Sequence, residues 1–331
     1  MEKQRQSNFE LLRLVCMLMV LVCHANGYVN EADLSGSTGV VRLLINQFCL
    51  VCVNVFVMIS GWFGINASWK GALKLWFQVL YVTAFCVVVA LLAGIPISFK
   101  ADVLSYAFLG SGYWFVVSYL ILYALAPVLN SFAATTSRQT FQGVLFAWFL
   151  AEFAYGFLLG QEYFDRGFSP LSFIGLYLLA RYVRLYPERV FTFKGGTDIG
   201  IYTAACLLSA LLFWFGYKWV GKGFHLNQYD SPLAIIASLY FLLAFSKMHF
   251  SKTWINWMAS SAFAIYLIHV QSLFFPTFKT WVAQIRDAYG PYSIGPLFLF
   301  ILVTAIVCIL IDKPRIWLWD RLNRKIVKVK R

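Results

Sequence analysis

The sequence predicts an all-α integral membrane protein, with about ten transmembrane helices in a single bundle and both termini cytoplasmic. Of its 331 residues, 61% are hydrophobic and only 12% are charged, whereas a soluble domain is typically about 25% charged. The mean hydropathy is +0.72. No soluble core of this length can bury so much apolar surface, so we expect the bilayer to cover it.

The apolar segments have the length of membrane-spanning helices. A hydrocarbon core of about 30 Å needs about 20 apolar residues in helical conformation. The segments are continuous rather than alternating, which favours helices over barrel strands. Region 276–290 is long enough for an interfacial helix. We predict spans near 9–29, 38–64, 72–93, 113–134, 141–160, 170–186, 199–217, 232–248, 256–275 and 294–312.

The basic residues predict the orientation. Ten spans place both termini on one side, and lysine and arginine concentrate in the segments that are inside when the N-terminus is cytoplasmic. These segments include a basic tail at 313–331. The net charge of +13 is therefore a topology signal rather than a sign of nucleic-acid binding. We predict one membrane domain over 1–331, multi-pass in the cell (cytoplasmic or inner) membrane.

The first span carries the most informative group of ionisable residues. Arg13 and His24 are eleven positions apart, which is three helical turns plus about 20°, so both lie on one face about 16 Å apart. Glu10 precedes Arg13 by three residues and can pair with it. This arrangement suits a long thioester donor, with its anionic head on Arg13 and its acyl carbon near His24. The imidazole would then be a general base or an acyl carrier.

A structural interpretation of the same residues stays open. Arg13 can extend to the interface, and His24 can hydrogen-bond a neighbouring helix without taking part in chemistry. The seven cysteines all fall within apolar spans, and Cys49 and Cys52 have no partner pair. We therefore predict neither a metal site nor a structural disulfide.

The ordered motifs resemble the acyltransferase-3 family of integral membrane acyltransferases. An arginine and a histidine separated by ten residues in the first span, as in Arg13 and His24, are similar to the family's signature. The Tyr-Trp-Phe, Leu-Tyr-x-x-Ala-Arg-Tyr and Asp-Ser-Pro blocks look closest to the branch that O-acetylates capsular and other surface polysaccharides. Five similar blocks, these three among them, follow in order at 54–62, 113–115, 176–182, 229–232 and 265–269.

The resemblance implies a cytoplasmic acyl-CoA donor, and basic residues are the candidates for binding its phosphates. Many family members have an Arg-x-x-Arg pair after the second span, where this chain has Lys70 and Lys74. These lysines keep the charge but lose the fork geometry of arginine. Arg181 and Arg184 form an Arg-x-x-Arg after the sixth span and are a second candidate. Anchoring of the cytoplasmic loops by positive charge is the structural alternative for both pairs.

Two further ionisable residues lie inside spans. Glu152 can orient His24 and stabilise its protonated form, as the third member of a triad does, or it can be an internal hydrogen-bonded acid. His269, one turn after Tyr266, resembles a Tyr-Leu-x-His block in the family's penultimate span. It can line the acceptor pocket or be a packed, hydrogen-bonded histidine.

Neutral polar and aromatic residues complete the predicted substrate site. Asn54 and Ser60 can donate to the thioester carbonyl or the developing oxyanion, although Ser60-Gly61 also suits close helix packing. Trp114 opens its span close to the outer interface, where it can stack on a sugar or belong to an aromatic belt. Tyr119 follows on the same span, and Tyr266 accompanies His269.

The sequence therefore predicts an O-acyltransferase that moves an acetyl group from acetyl-CoA to a hydroxyl of a surface or lipid-linked polysaccharide. Its expected partners are acyl-CoA, the glycan acceptor and membrane lipids, with no metal and no nucleic acid. A transporter of an acyl group, glycan or small solute is the alternative, although no inverted repeat is visible. A non-catalytic membrane scaffold is the third hypothesis, and it leaves the membrane-buried charges without a purpose.

Overall fold

The computed structural model describes residues 5–27, 34, 37–107 and 111–329. Helices account for 82% of the structure and the described residues contain no strand, which confirms the predicted all-α class. Short 3-10 turns join some helices, and π-helical turns occupy Phe99–Leu104 and Glu152–Leu158. The α-helices are α1 (Ser7–Asn26), α2 (Ser37–Cys49), α3 (Val51–Phe63), α4 (Trp69–Leu92), α5 (Ser105–Ala107), α6 (Trp114–Thr135), α7 (Arg138–Ala151), α8 (Pro170–Leu185), α9 (Gly195–Val220), α10 (Pro232–Ser246), α11 (Thr253–Ala259), α12 (Ala262–His269), α13 (Phe275–Tyr289) and α14 (Ile294–Val329).

Seven helical segments of the described chain are long and apolar enough to cross a membrane, which agrees with an integral membrane protein. Helix α10 is apolar but shorter. The count of about ten spans and the sidedness of the termini stay predictions. The seven segments are Ser7–Asn26, Thr38–Phe63, Trp69–Leu92, Trp114–Thr135, Arg138–Leu158, Gly195–Val220 and Ile294–Asn323.

One predicted element differs from the structure. The region 256–275 is not one helix, because α11 ends at Ala259 and α12 ends at His269. The predicted span 170–186 corresponds to α8, which has 16 residues. In the predicted tail at 313–331, α14 continues through Pro314 to Val329, and the cytoplasmic location of this segment stays a prediction. Region 276–290 is helical, as predicted, in α13.

The chain divides into two compact units. The first comprises the described residues of 1–67 and 118–252, and the second comprises those of 68–117 and 253–331. The predicted single domain stays a prediction.

In the first unit, α3 packs between α1 and α8 and also contacts α10. Gly61 makes the contact with α8 very close, because a Cβ there would lie 2.3 Å from the Tyr177 carbonyl oxygen. Helix α8 begins with Ser169, whose side chain accepts a hydrogen bond from the Ser172 amide, and with Pro170 in the first turn. The central α3 therefore sets the spacing between the polar faces of α1 and α8.

In the second unit, α14 packs against α4, α12 and α13. Its interior contains an ion pair that is completely enclosed by protein: Arg315 donates two hydrogen bonds of 2.7 Å to the Asp312 carboxylate. Gln78 of α4 donates to the same carboxylate at 3.2 Å, and the Tyr81 hydroxyl donates to the Ile311 carbonyl at 3.0 Å. These polar groups fasten α4 to α14.

Candidate active site

Arg13 and Glu10 form the predicted pair on α1. Arg13 Nη1 donates to Glu10 Oε1 at 2.6 Å, and the side chains are 31% and 8% exposed. Arg5 approaches the other Glu10 oxygen at 3.9 Å. The buried Glu10 carboxylate thus holds the Arg13 guanidinium through Nη1. Within the described part of the chain, its Nε and Nη2 make no hydrogen bond, so they can still bind an anion.

Tyr119 and Ser60, both predicted from sequence, lie in the same polar region as Arg13. The Tyr119 hydroxyl and Ser60 Oγ are 3.2 Å apart, and Ser60 also donates to the Phe56 carbonyl at 3.3 Å. Arg13 is near enough to act electrostatically on the Tyr119 hydroxyl. Three candidates from α1, α3 and α6 are therefore brought together.

A second polar network connects α8 to the end of α3. The Tyr177 hydroxyl donates to Asn130 Oδ1 at 2.7 Å and accepts from the Ile65 amide at 2.9 Å. Asn130 Nδ2 donates to the Ile65 carbonyl at 2.9 Å. Gly64, with φ of +74°, allows the chain to turn here, because a Cβ would lie 3.3 Å from Arg181 Nη1.

Arg181 is the incompletely satisfied member of this region. Its Nε is buried and makes no hydrogen bond within the described part of the chain. Its guanidinium acts electrostatically on Tyr177, and Tyr177 interacts in the same way with Tyr119. Arg13 and Arg181 consequently flank one tyrosine pair, which the sequence could not show because the four residues come from three helices.

His24 lies in the last turn of α1 and is half-buried. This end of the helix is fastened to α2 by a reciprocal contact, in which Arg42 Nη2 donates to the Asn26 carbonyl and Asn26 Nδ2 donates to the Arg42 carbonyl, each at 2.9 Å. Sequence reasoning missed Arg42, although it lies inside the predicted span 38–64. A charged residue inside a predicted span is unusual, so the position of Arg42 was itself a signal that could have identified it.

Glu152 lies among acidic and hydroxyl groups. It begins the π-helical turn after α7, is 1% exposed, and interacts with Ser172 and Asp230. One carboxylate oxygen, Oε2, has no hydrogen bond within the described residues. Its predicted role in orienting His24 stays a prediction.

Asp230, which sequence reasoning saw only as part of a motif, is 2% exposed. Neither carboxylate oxygen has a hydrogen-bond partner from a side chain within the described residues. Burial raises the pKa of Asp230 to about 6, while its own backbone and Arg166 act in the opposite direction. Asn54 fixes the neighbouring chain, because its Nδ2 donates to the Tyr229 carbonyl at 2.9 Å. This amide therefore supports the loop before α10, and its substrate role stays a prediction.

The remaining acceptor candidates belong to the second unit. His269 Nδ1 lies 2.5 Å from the Ile265 carbonyl oxygen. Tyr266 packs against that imidazole with ring centroids 6.3 Å apart, and against Phe115 at 5.9 Å. Trp114 makes an edge contact with Phe115 at 5.8 Å. The two aromatic residues and the histidine thus have packing partners, and their contact with substrate stays a prediction.

The other basic candidates are at helix ends. Lys70 and Lys74 are exposed on the first two turns of α4, in the second unit. Arg184 is exposed near the end of α8, with its guanidinium carbon 5.0 Å from the centre of the Trp62 ring. Among the described residues, no three His, Cys, Asp or Glu side chains come together as metal ligands.

Membrane-length helices and a polar group of arginine, tyrosine and glutamate side chains among them define a polytopic membrane protein with a polar site between its helices. The chain belongs to the acyltransferase-3 family, because the family model, described as an acyltransferase domain, matches residues 6–312. Comparisons with curated proteins and with solved structures gave no match. The family supports membrane acyltransferase activity for this chain.

Proposed function

We propose that this protein transfers an acetyl group from cytoplasmic acetyl-CoA to a hydroxyl of a cell-surface or lipid-linked polysaccharide. The observation that carries the proposal is the open ion pair on α1. Glu10 holds the Arg13 guanidinium by one corner, and the rest of the guanidinium can bind an anion. The same face of the helix carries His24 about 16 Å further along, which is a distance that a pantetheine arm can cover.

Arg181 supports the position of the donor pyrophosphate. A buried guanidinium N–H without a hydrogen bond is costly, so its retention is explained best by a ligand that completes it. Phosphate oxygens are suitable partners because arginine binds them through charge-assisted, paired hydrogen bonds. With Arg13 and Arg181 on either side of Tyr119 and Tyr177, the pyrophosphate would lie over these hydroxyls.

His24 would carry out the chemical step. As a general base it accepts the proton of the acceptor hydroxyl, the oxygen attacks the thioester carbonyl, and the carbon–sulfur bond breaks. The imidazolium then returns the proton to the leaving thiolate, which gives the acetyl ester and CoA. Alternatively, the imidazole attacks the thioester first, the carbon–sulfur bond breaks and CoA leaves as its thiol after protonation. The acceptor hydroxyl then attacks the acetyl-imidazole, the carbon–nitrogen bond breaks and the hydroxyl proton passes to the freed imidazole.

The acceptor and the location rest on sequence patterns. The motif blocks resemble the branch that acetylates surface polysaccharides. The positive-inside pattern supports cytoplasmic termini for a protein of the cell (cytoplasmic or inner) membrane. A donor inside and an acceptor outside require that the thioester reach through the protein or that the glycan be acetylated before export.

The test compares His24→Ala with the matched variant His225→Ala, which changes an exposed loop histidine. Each purified, folded protein is given acetyl-CoA and glycan acceptor, and CoA release and ester formation are measured together. We expect His24→Ala to lose about 100-fold or more of the transfer rate, because positioned acid–base groups contribute that much. Full activity of His24→Ala would end the proposal, and solute flux without CoA release would establish a transporter instead.

A further inference from the structure

A cavity of about 570 Å³ opens at the N-terminal end of α1. This volume is within the range of about 300–1,000 Å³ that small-molecule sites occupy. The walls come from the start of α1, the last turn of α3, the last turn of α8 and the chain that follows α10. The lining residues that bear on binding are Arg5, Asn8, Phe9, Trp62, Arg184 and His249.

The charged groups of the cavity are all cationic or potentially cationic. Arg5, Arg184 and His249 line it, and no carboxylate is among the lining residues that the structure describes. The Arg5 side chain is 49% exposed. Glu10 lies behind the wall, where its Oε2 is 3.9 Å from Arg5 Nη1. An anion entering the cavity would therefore meet attractive charge, and Arg184 would supply most of it.

Trp62 positions Arg184 rather than offering a face to a base. The guanidinium carbon is 5.0 Å from the indole centre, a cation–π distance, and Phe9 packs on the indole with centroids 5.9 Å apart. Since Trp62 is only 8% exposed, stacking of a ligand on it is blocked. Arg184 makes no ion pair in the described chain, so the edge of the guanidinium remains for an anion.

Hydrogen bonds between distant parts of the first unit form the wall in advance. The Lys252 amide donates to Ser7 Oγ at 2.9 Å, and Asn8 Nδ2 donates to the Phe245 carbonyl at 3.0 Å. These bonds hold the start of α1 against the chain after α10. The cavity thus has fixed walls before any ligand binds, which lowers the entropic cost of binding.

The cavity continues the donor site. Phe9 in its wall directly precedes Glu10, and Arg184 lies one turn after Arg181 on α8. We propose that the cavity binds the 3′-phosphorylated nucleotide end of the acyl-CoA donor, with Arg5 and Arg184 contacting the 3′-phosphate. This inference rests on the proposed function, and it adds a basis for distinguishing CoA from donors that lack this phosphate.

The first experiment compares acetyl-CoA with acetyl-dephospho-CoA as donors for the wild-type protein. We expect a kcat/KM preference of about tenfold or more for acetyl-CoA, because a charge-assisted hydrogen bond is lost with the phosphate. Arg184→Gln should remove most of this preference by raising KM for acetyl-CoA alone. The matched control Arg189→Gln, which changes an exposed arginine outside the cavity, should keep it.

The outcomes separate the two ideas. If both donors transfer acetyl with equal kcat/KM, the cavity inference is wrong and the proposed function stands. If neither donor transfers acetyl, the proposed function fails and the inference falls with it. Because the wild-type comparison needs no variant, it decides the question even if Arg184→Gln does not fold.

A binding experiment gives a readout without turnover. Adenosine 3′,5′-bisphosphate should raise the melting temperature of the wild-type and Arg189→Gln proteins in detergent, and Arg184→Gln should lose this shift. Adenosine 5′-diphosphate, which lacks the 3′-phosphate, should give a smaller shift. Equal shifts from the two nucleotides, or loss of the shift on adding an anionic phospholipid at equal concentration, would overturn the proposal in favour of a general or lipid phosphate site.

Discussion

Two ion pairs in this chain have the same local design and different surroundings. Glu10 precedes Arg13 by three residues on α1, and Asp312 precedes Arg315 by three residues on α14. The Arg13 side chain is 31% exposed and uses one nitrogen on its partner. The Arg315 side chain is 2% exposed and uses two nitrogens, Nε and Nη2.

The difference shows that spacing on a helix predicts a pair but not its role. Asp312 is covered by Gln78 of α4 as well as by its arginine, so the enclosed pair contributes to packing of the second unit. Arg13 keeps nitrogens for another molecule, so the open pair is suited to ligand binding. For an arginine inside a membrane span, the number of N–H donors without a protein partner therefore helps to distinguish a ligand-binding role from a structural one.

The largest expected effect comes from breaking the enclosed pair. Arg315→Leu leaves the Asp312 carboxylate buried without its cation, which typically costs about 3–5 kcal/mol of unfolding free energy. Unfolding in detergent, followed by tryptophan fluorescence, measures the loss. The double variant Asp312→Leu with Arg315→Leu should recover much of it, because no isolated charge remains. Wild-type stability in the single variant would contradict the enclosed role.

A buried carboxylate without an ion pair sharpens the comparison. Burial raises the pKa of Asp230 from 3.8 to about 6, so the folded state binds the proton more tightly than the unfolded state does. Its contribution to stability is therefore fully present below pH 3.8 and is lost as pH rises through about 6. The loss is about 3 kcal/mol for a shift of about two units.

Asp230→Asn tests this pH dependence directly. The variant should flatten the fall in melting temperature between about pH 4 and pH 7, as expected when a titrating buried acid is removed. Asp165→Asn, which changes an exposed neighbouring acid, should retain the fall. Parallel curves for Asp230→Asn and the wild type would show that other groups, such as Glu152, control the dependence.

The open pair should affect activity more than stability. Arg13→Gln removes the charge that we propose binds the donor pyrophosphate, so we expect kcat/KM for acetyl-CoA to fall about 10- to 100-fold, equivalent to about 1.5–3 kcal/mol. The unfolding free energy should fall by less than in Arg315→Leu, because Arg13 is 31% exposed and Arg5 still lies 3.9 Å from the Glu10 carboxylate. A stability loss as large as that of Arg315→Leu would remove the distinction between the pairs.

Glu10→Gln should have the smallest effect. The charge of Arg13 remains and only its clamp is weakened, so we expect a loss of about two- to fivefold in kcat/KM, the range given by a partly exposed ion pair. Steady-state assays with Glu162→Gln, an exposed acid outside the site, as the control measure it. A loss greater than that of Arg13→Gln would mean that the carboxylate itself takes part in the reaction.

Local features were predictable from sequence. Helix α1 and its Glu10–Arg13 pair depend on residues within one turn, and the long apolar helices follow from runs of apolar residues. The all-α membrane class was predicted correctly from these apolar runs, and the family was predicted correctly from short motifs that the sequence shows directly. Ser60 and Tyr119 were named individually, but their contact depends on how α3 and α6 pack.

Features that depend on tertiary structure were not predictable. The basic run from Lys313 was recognised by its charges, whereas the pairing of Asp312 with Arg315 and the continuation of α14 are visible only in the folded chain. The region 256–275 is mostly apolar, so hydropathy alone could not show the break between α11 and α12. Arg181 was named for its charge, whereas the lack of a hydrogen-bond partner for its Nε among the described residues is visible only in the folded chain.

Gly61 has a consequence for how donor affinity can change during evolution. A methyl group there would have to move from 2.3 Å to at least 3.4 Å from the Tyr177 carbonyl oxygen, which displaces α8 by about 1 Å. Arg181 and Arg184 would move with it, although neither was mutated. The absence of a side chain at Gly61 thus fixes the positions of the two arginines. Under the proposed function, a substitution at Gly61 would therefore change the affinity for the donor without contacting it.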